Sequence, residues 1–113
     1  MPTATFIHEG DQIDYTPAAD VAAGAVVVQN DLVGVAKTPI AASQLGALAV
    51  RGVFDLAKAG GAGVTFATGQ SVYWDAANDV AVETDGGGAN KLAGKAVAAA
   101  GDSDTTVRVL LTP

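Results

Sequence analysis

Tyr73, Trp74 and Asp75 stand side by side within GQSVYWDAANDVAVET, residues 69–84, and Asp79 and Glu83 follow them. Aromatic rings beside carboxylates are the material of a sugar platform or a cation cage. A cage needs rings that converge on one point, whereas neighbours in a strand point to opposite faces. Val72 and Trp74 therefore share one face, and Ser71, Tyr73 and Asp75 the other. Trp74 reads as the bulkiest anchor of a core poor in large side chains, with Phe54, Val72 and Val82 as further anchors. Tyr73 reads as a surface or subunit-contact residue. Residues 75–79 form a turn, rich in the Asp and Asn that tight turns use, and Val80 and Val82 are expected to face inward on the returning strand.

The other reactive constellations fail on spacing. GGGANKLAGK, residues 86–95, has the look of a phosphate-cradling loop. Such a loop needs a glycine separated by four residues from its Gly-Lys, and a hydroxyl after it. Here those positions hold Ala89 and Ala96. His8 is the only histidine, and Ser43, Ser71 and Ser103 lie in no Gly-x-Ser-x-Gly element, so no nucleophile and base pair is legible. His8-Glu9 lacks the second histidine of a zinc-protease helix. Asp75, Asn78 and Asp79, or Asp102 and Asp104, offer oxygen ligands, but neither run has a twelve-residue calcium loop with its closing Glu. We expect no catalytic residue, no metal and no cofactor. A carboxylate-pair hydrolase is a remote alternative, because any fold can bring two acids together. A sugar site would also bring several aromatic platforms, and one Trp, two Tyr and three Phe are few for that.

The elements that carry these residues are read from punctuation and charge. At 113 residues the chain is of single-domain length, and we expect one β domain over 1–113. Half of it is hydrophobic, mostly Ala and Val, so its core is thin and favours association. A formal charge of −6, with its six basic residues scattered singly, disfavours direct nucleic-acid binding. Without cysteine there is neither disulfide nor thiolate metal site. No signal-peptide pattern and no apolar run of membrane-spanning length is visible, so a soluble protein made inside a cell is expected, with no membrane partner.

Fourteen glycines and four prolines fall about every eight to twelve residues, which predicts an all-β fold. It would be a small antiparallel sandwich or a partly open barrel. Strands are expected at 3–8, 12–16, 25–29, 32–37, 48–56, 64–67, 70–75, 79–84, 92–99 and 105–112. Asn30-Asp31 would turn a hairpin, residues 39–45 would form a short helical turn, and 60–63 a loop. The run 85–90 is expected to be a flexible glycine-rich loop, and 1–8 an extended arm. Residues 25–36 also echo residues 71–74 and 92–96, both ending in Gly-x-Ala, which suggests two similar halves.

Three runs carry a family resemblance: HEGDQIDYTPAADVAAGAVVVQNDLVGVA, AVRGVFDLAKAGGAGVTFATGQSVYWDAANDVAVET and LAGKAVAAAGDSDTTVRVLL. The chain resembles a family of small phage and prophage head-cluster proteins through its G-D-x-I start, its G-V-F-D-L-x-K strand, its V-Y-W-D hairpin and its T-V-R-V-x-L end. Some members are labelled a predicted phage recombinase. That label implies an ATPase, which the missing phosphate loop and acidic charge contradict. The resemblance implies a capsid decoration, or cement, protein on the exterior of a virion, with the major capsid protein and copies of itself, as a homotrimer or homodimer, as partners. A receptor-contact module on the virion surface is the alternative. Strand-like termini can add to a partner's sheet, so Pro2, Thr3, Thr5, Phe6, Ile7 and His8, with Tyr73, are the candidate capsid or protomer interface.

Overall fold

The computed structural model describes residues 3–8, 10–58 and 64–112, and within them the chain forms nine strands and one 3-10 turn. The strands are β1 (Gln12–Tyr15), β2 (Val26–Gln29), β3 (Leu32–Val35), β4 (Gly46–Ala49), β5 (Gly52–Ala57), β6 (Ser71–Asp75), β7 (Val80–Val82), β8 (Lys91–Ala96) and β9 (Thr106–Leu111). They make two antiparallel sheets, ordered β1-β4-β3-β2 and β5-β9-β8-β6-β7, so the fold is a small β-sandwich. Pro2 and the glycine loop at 60–63 lie outside the described residues.

Local chemistry explains the clearest hairpin. Asn30 takes a left-handed φ of 53°, which Asn tolerates better than most residues, so a two-residue turn pairs Gln29 with Leu32. The pairing then runs Val28 with Val33, Val27 with Gly34 and Val26 with Val35.

The echo in the sequence becomes a duplication of topology. In each half the first strand pairs with the last, the last with the one before it, and that one with the second: β1-β4-β3-β2 matches β5-β9-β8-β6. Small details repeat. The Gly24 N–H donates to the Ala36 carbonyl and the Gly69 N–H to the Ala96 carbonyl, both at 2.6 Å, with φ of 85° and 87° at the two glycines. A bridge joins Val21 to Ile40 in one half and Phe66 to Ala100 in the other. These contacts align Val26, not Ala25, with Ser71, one residue away from the match read in the sequence. The halves differ by one insertion. Where two residues join β2 to β3, residues 76–90 join β6 to β8 and add β7 to the outer edge of β6.

Each half closes a cluster of its own. Ala36, Ile40 and Leu48 form the smaller one, with Ile13, Tyr15, Val21 and Val27 against it. The larger gathers Leu56, Phe66, Val72, Trp74, Val107, Val109 and their neighbours, and it also takes Val33 and Val35 from β3. The opposite face of β3 thus ties the first sheet to the second. At about 25 cal/mol per Å² of apolar surface removed from water, these small side chains stabilise the fold by number rather than size.

Several expectations shift. The segment 3–8 joins no strand, because a β-prone stretch gains a ladder only where a partner strand lies beside it. Residues 39–45 form no helical turn: Ile40 is held by two backbone hydrogen bonds to Val21, and Ser43 adopts a φ of 63°. The long strand at 48–56 breaks in two, with β4 in one sheet and β5 in the other. The crossing is made at Gly52, whose φ of 121° is open to glycine and costly for other residues. Only the bridge at Phe66 remains of the strand at 64–67. The run 86–88 is a 3-10 turn, its Gly87 N–H bonded to the Asp85 carboxylate at 3.2 Å. Val82 is no core anchor either. Trp74 lies opposite Ala81, which is fully buried, so Val80 and Val82 share the Tyr73 face.

Candidate functional site

The residues proposed for an interface separate into two regions. Thr3, Thr5, Phe6, Ile7 and His8 are exposed ahead of β1, an edge strand of the first sheet. Phe6 and Ile7 are the extreme cases, at 77% and 78% exposure. Consecutive exposed side chains of that size are costly for a chain with nothing to cover them. Tyr73 belongs to the other sheet. It is half-buried, flanked across the strands by Val82 on β7 and Leu92 on β8.

The outer face of the five-stranded sheet holds more apolar surface than the sequence reading assigned. Val53 and Leu110 oppose each other on β5 and β9, both exposed, and Leu92 and Val97 add to them. One signal in the sequence points there: Leu110-Leu111 breaks strict alternation, so one leucine must leave the core. Leu111 is buried and Leu110 is not. Polar pairs punctuate this face. Asp55 and Arg108 are direct cross-strand partners, joined by Nε to Oδ1 at 2.9 Å and by Nη2 to Oδ2 at 3.2 Å. The guanidinium hydrogen bond holds the Asp55 carboxyl below its ordinary value. Beside them, Lys95 donates to the Ser71 hydroxyl at 2.8 Å.

The carboxylates singled out for metal binding serve turns. Asp75 accepts from the Asn78 side-chain amide at 2.8 Å and from the backbone N–H groups of Ala77 and Asn78. Those bonds, led by the Asn78 amide, hold its carboxyl below the ordinary range. Asp104 Oδ2 accepts the Gly101 N–H at 2.7 Å, closing the β8–β9 connection. Among the described residues no group of three or more His, Cys, Asp or Glu is placed to hold a metal ion.

One cleft, of about 270 Å³, opens between the halves and is lined by Val26, Asp55, Leu56, Trp74 and Asp79 among others. Trp74 is 4% exposed, and its indole N–H meets no acceptor among the described residues. Sequence reasoning placed Trp74 in the core but could not foresee an unpaired donor. The described residues thus leave two exposed apolar groups, one in the segment 3–8 and one on the outer face of the five-stranded sheet. No helix among the described residues is long and apolar enough to cross a membrane.

Comparison with known proteins points the same way. A family model described as phage cement protein matches residues 7–111. Neither the curated proteins nor the solved structures include a match.

Proposed function

The chain belongs to the phage cement protein family and has a structural, capsid-associated role; from that premise we propose that it binds the outer surface of the major capsid shell and stabilises it without catalysis. The family match over residues 7–111 carries this reading. Its partners are then the major capsid protein and further copies of itself, on the exterior of a virion assembled in a bacterial host. Two surfaces suit the task. The segment holding Thr3, Thr5, Phe6, Ile7 and His8, with Pro2 before it in the sequence, is exposed and joins no strand, so its backbone can add to a sheet. The face around Tyr73, Leu92, Val53 and Leu110 supplies apolar area of the kind that interfaces bury. Oxygen-rich turns and an unpaired indole suggest no reaction, so no enzymatic activity is assigned.

The test adds purified protein to expanded, undecorated capsids and records the temperature at which DNA is released. A cement protein raises that temperature and saturates at a fixed copy number per shell. Absence of binding would remove the proposal. Leu110→Asp, on the exposed face, is expected to weaken capsid binding without unfolding the chain.

A further inference from the structure

The two halves of the sandwich differ at one edge, and the difference leaves a vacancy for a strand. In the second sheet β7 lies along the outer edge of β6. In the first sheet the equivalent strand, β2, ends the sheet and pairs with β3 alone among the described residues. Antiparallel ladders alternate bonded and non-bonded pairs. Gln29 with Leu32 closes the two-residue turn as a bonded pair. Ala36 is bonded through the bulge at Gly24, its N–H to the Ala25 carbonyl and its carbonyl from the Gly24 N–H, so Val26 with Val35 and Val28 with Val33 are the non-bonded pairs. The N–H and C=O groups of Val26 and Val28 therefore point outward, away from β3.

Edges are ordinarily guarded by charge, proline or irregularity. β1 carries Asp14, β7 is flanked by Asp79 and Glu83, and β5 carries Asp55 and is bridged to β7 through Lys58 and Ala81. β2 itself is Val-Val-Val-Gln, without charge or proline; its only irregularity is the bulge at Gly24 before the strand, and Asp55 and Asp79 line the cleft beside Val26. Its three valines are half-buried on both faces: Val27 packs against the smaller core, and Val26 and Val28 against the larger. A strand added here needs apolar side chains on both its faces, which means at two consecutive positions. Phe6 and Ile7 are such a pair, and both are exposed.

The arm of the same chain does not reach. Gln12, Ala49, Val35 and Val26 stand in one row across the first sheet. The slot outside β2 is therefore four strand spacings from Gln12, about 19 Å along the sheet. Ile7 is five residues from Gln12, at most about 18 Å of fully extended chain. The face of the first sheet that bears Leu48 and Val27 is already packed by Ile40 and Val21. We propose that the segment carrying Phe6 and Ile7 pairs with the β2 edge of a second copy, giving the first sheet the fifth strand that β7 gives the second. Each chain gives one arm and accepts one, so two copies can exchange arms reciprocally as a dimer, or several can close into a ring where the rotation allows.

Three chains test this by light scattering and sedimentation: wild type, Phe6→Asp with Ile7→Asp, and Val28→Pro. The arm variant alters only exposed side chains. Proline at Val28 removes an outward N–H, a position edge strands tolerate. The wild type is expected to associate, each variant to lose at least about tenfold in association constant, and an equimolar mixture of the two variants to regain a mixed pair, since one keeps its slot and the other its arm. A monomeric wild type, an arm variant that associates like wild type, or a mixture that stays monomeric overturns the proposal. Should Val28→Pro lose its cooperative melt, a peptide of residues 2–8 replaces it: peptide that dissociates the wild type supports the exchange, and peptide without effect at saturating concentration overturns it. Capsid binding by a chain that stays monomeric would refute the exchange and leave the cement role standing.

Discussion

Asp55 and Arg108 show how a single pair can be read for its consequences. They oppose each other across β5 and β9 with two hydrogen bonds, and both side chains are about half exposed. The pair depresses the Asp55 carboxyl below its unfolded value, so it stabilises the fold above that value and ceases to as pH falls through the depressed one. Asp55→Asn is therefore expected to lower Tm at neutral pH, and the difference from wild type should shrink in acid, below the ordinary carboxylate range. A Tm difference that grows on acidification would contradict the assignment. The size of the effect is small, because exposed pairs are screened by water and salt. Trp74 illustrates a different limit at this scale. Its burial was legible from alternation with Tyr73, but its unpaired indole N–H depends on what packs around it, and nothing local encodes that.

Among elements, the β6–β7 hairpin carries the sharpest lesson. Val80 and Val82 are the larger residues of the returning strand, and hydrophobicity alone would send them inward. The turn over residues 76–79 sets the register instead, placing Ala81 opposite Trp74. A slip of one residue exchanges the faces of a strand. A small residue suits that place because the indole already fills the space. Ala81→Leu is expected to cost about 1–3 kcal/mol by overpacking. Val82→Thr would bury an unpaired hydroxyl at about 1–3 kcal/mol if Val82 faced the core, and is expected to cost less than that. Chemical denaturation of both variants checks the register directly. The division of residues 48–56 into β4 and β5 has a similar origin. Alternation continues through Val50 and Gly52 in the sequence, and only the φ of Gly52 turns the chain from one sheet to the other.

For the whole molecule, the duplication means that neither half is finished alone. Val33 and Val35 project from the first sheet into a cluster built mainly by the second, and Asp31 meets Lys91 across the halves at 3.0 Å. A chain of residues 1–50 is expected to show no cooperative thermal transition, whereas the full chain melts in one step; circular dichroism distinguishes the two. A cooperative melt of the fragment would show that the smaller core suffices. Composition and punctuation were enough to set the β class, the hairpin at Asn30-Asp31, the outward Tyr73 and the inward Trp74, because those follow from period-two alternation and turn chemistry within a few residues. The family likeness, too, lay in short runs of sequence. What remained for the tertiary structure was the pairing of distant strands: the sheet order, the register that buries Ala81, the exposed Val53 and Leu110, and the unpaired edge of β2. Strand partners are chosen by burial and loop closure summed over the whole chain, and no window of ten residues contains that sum.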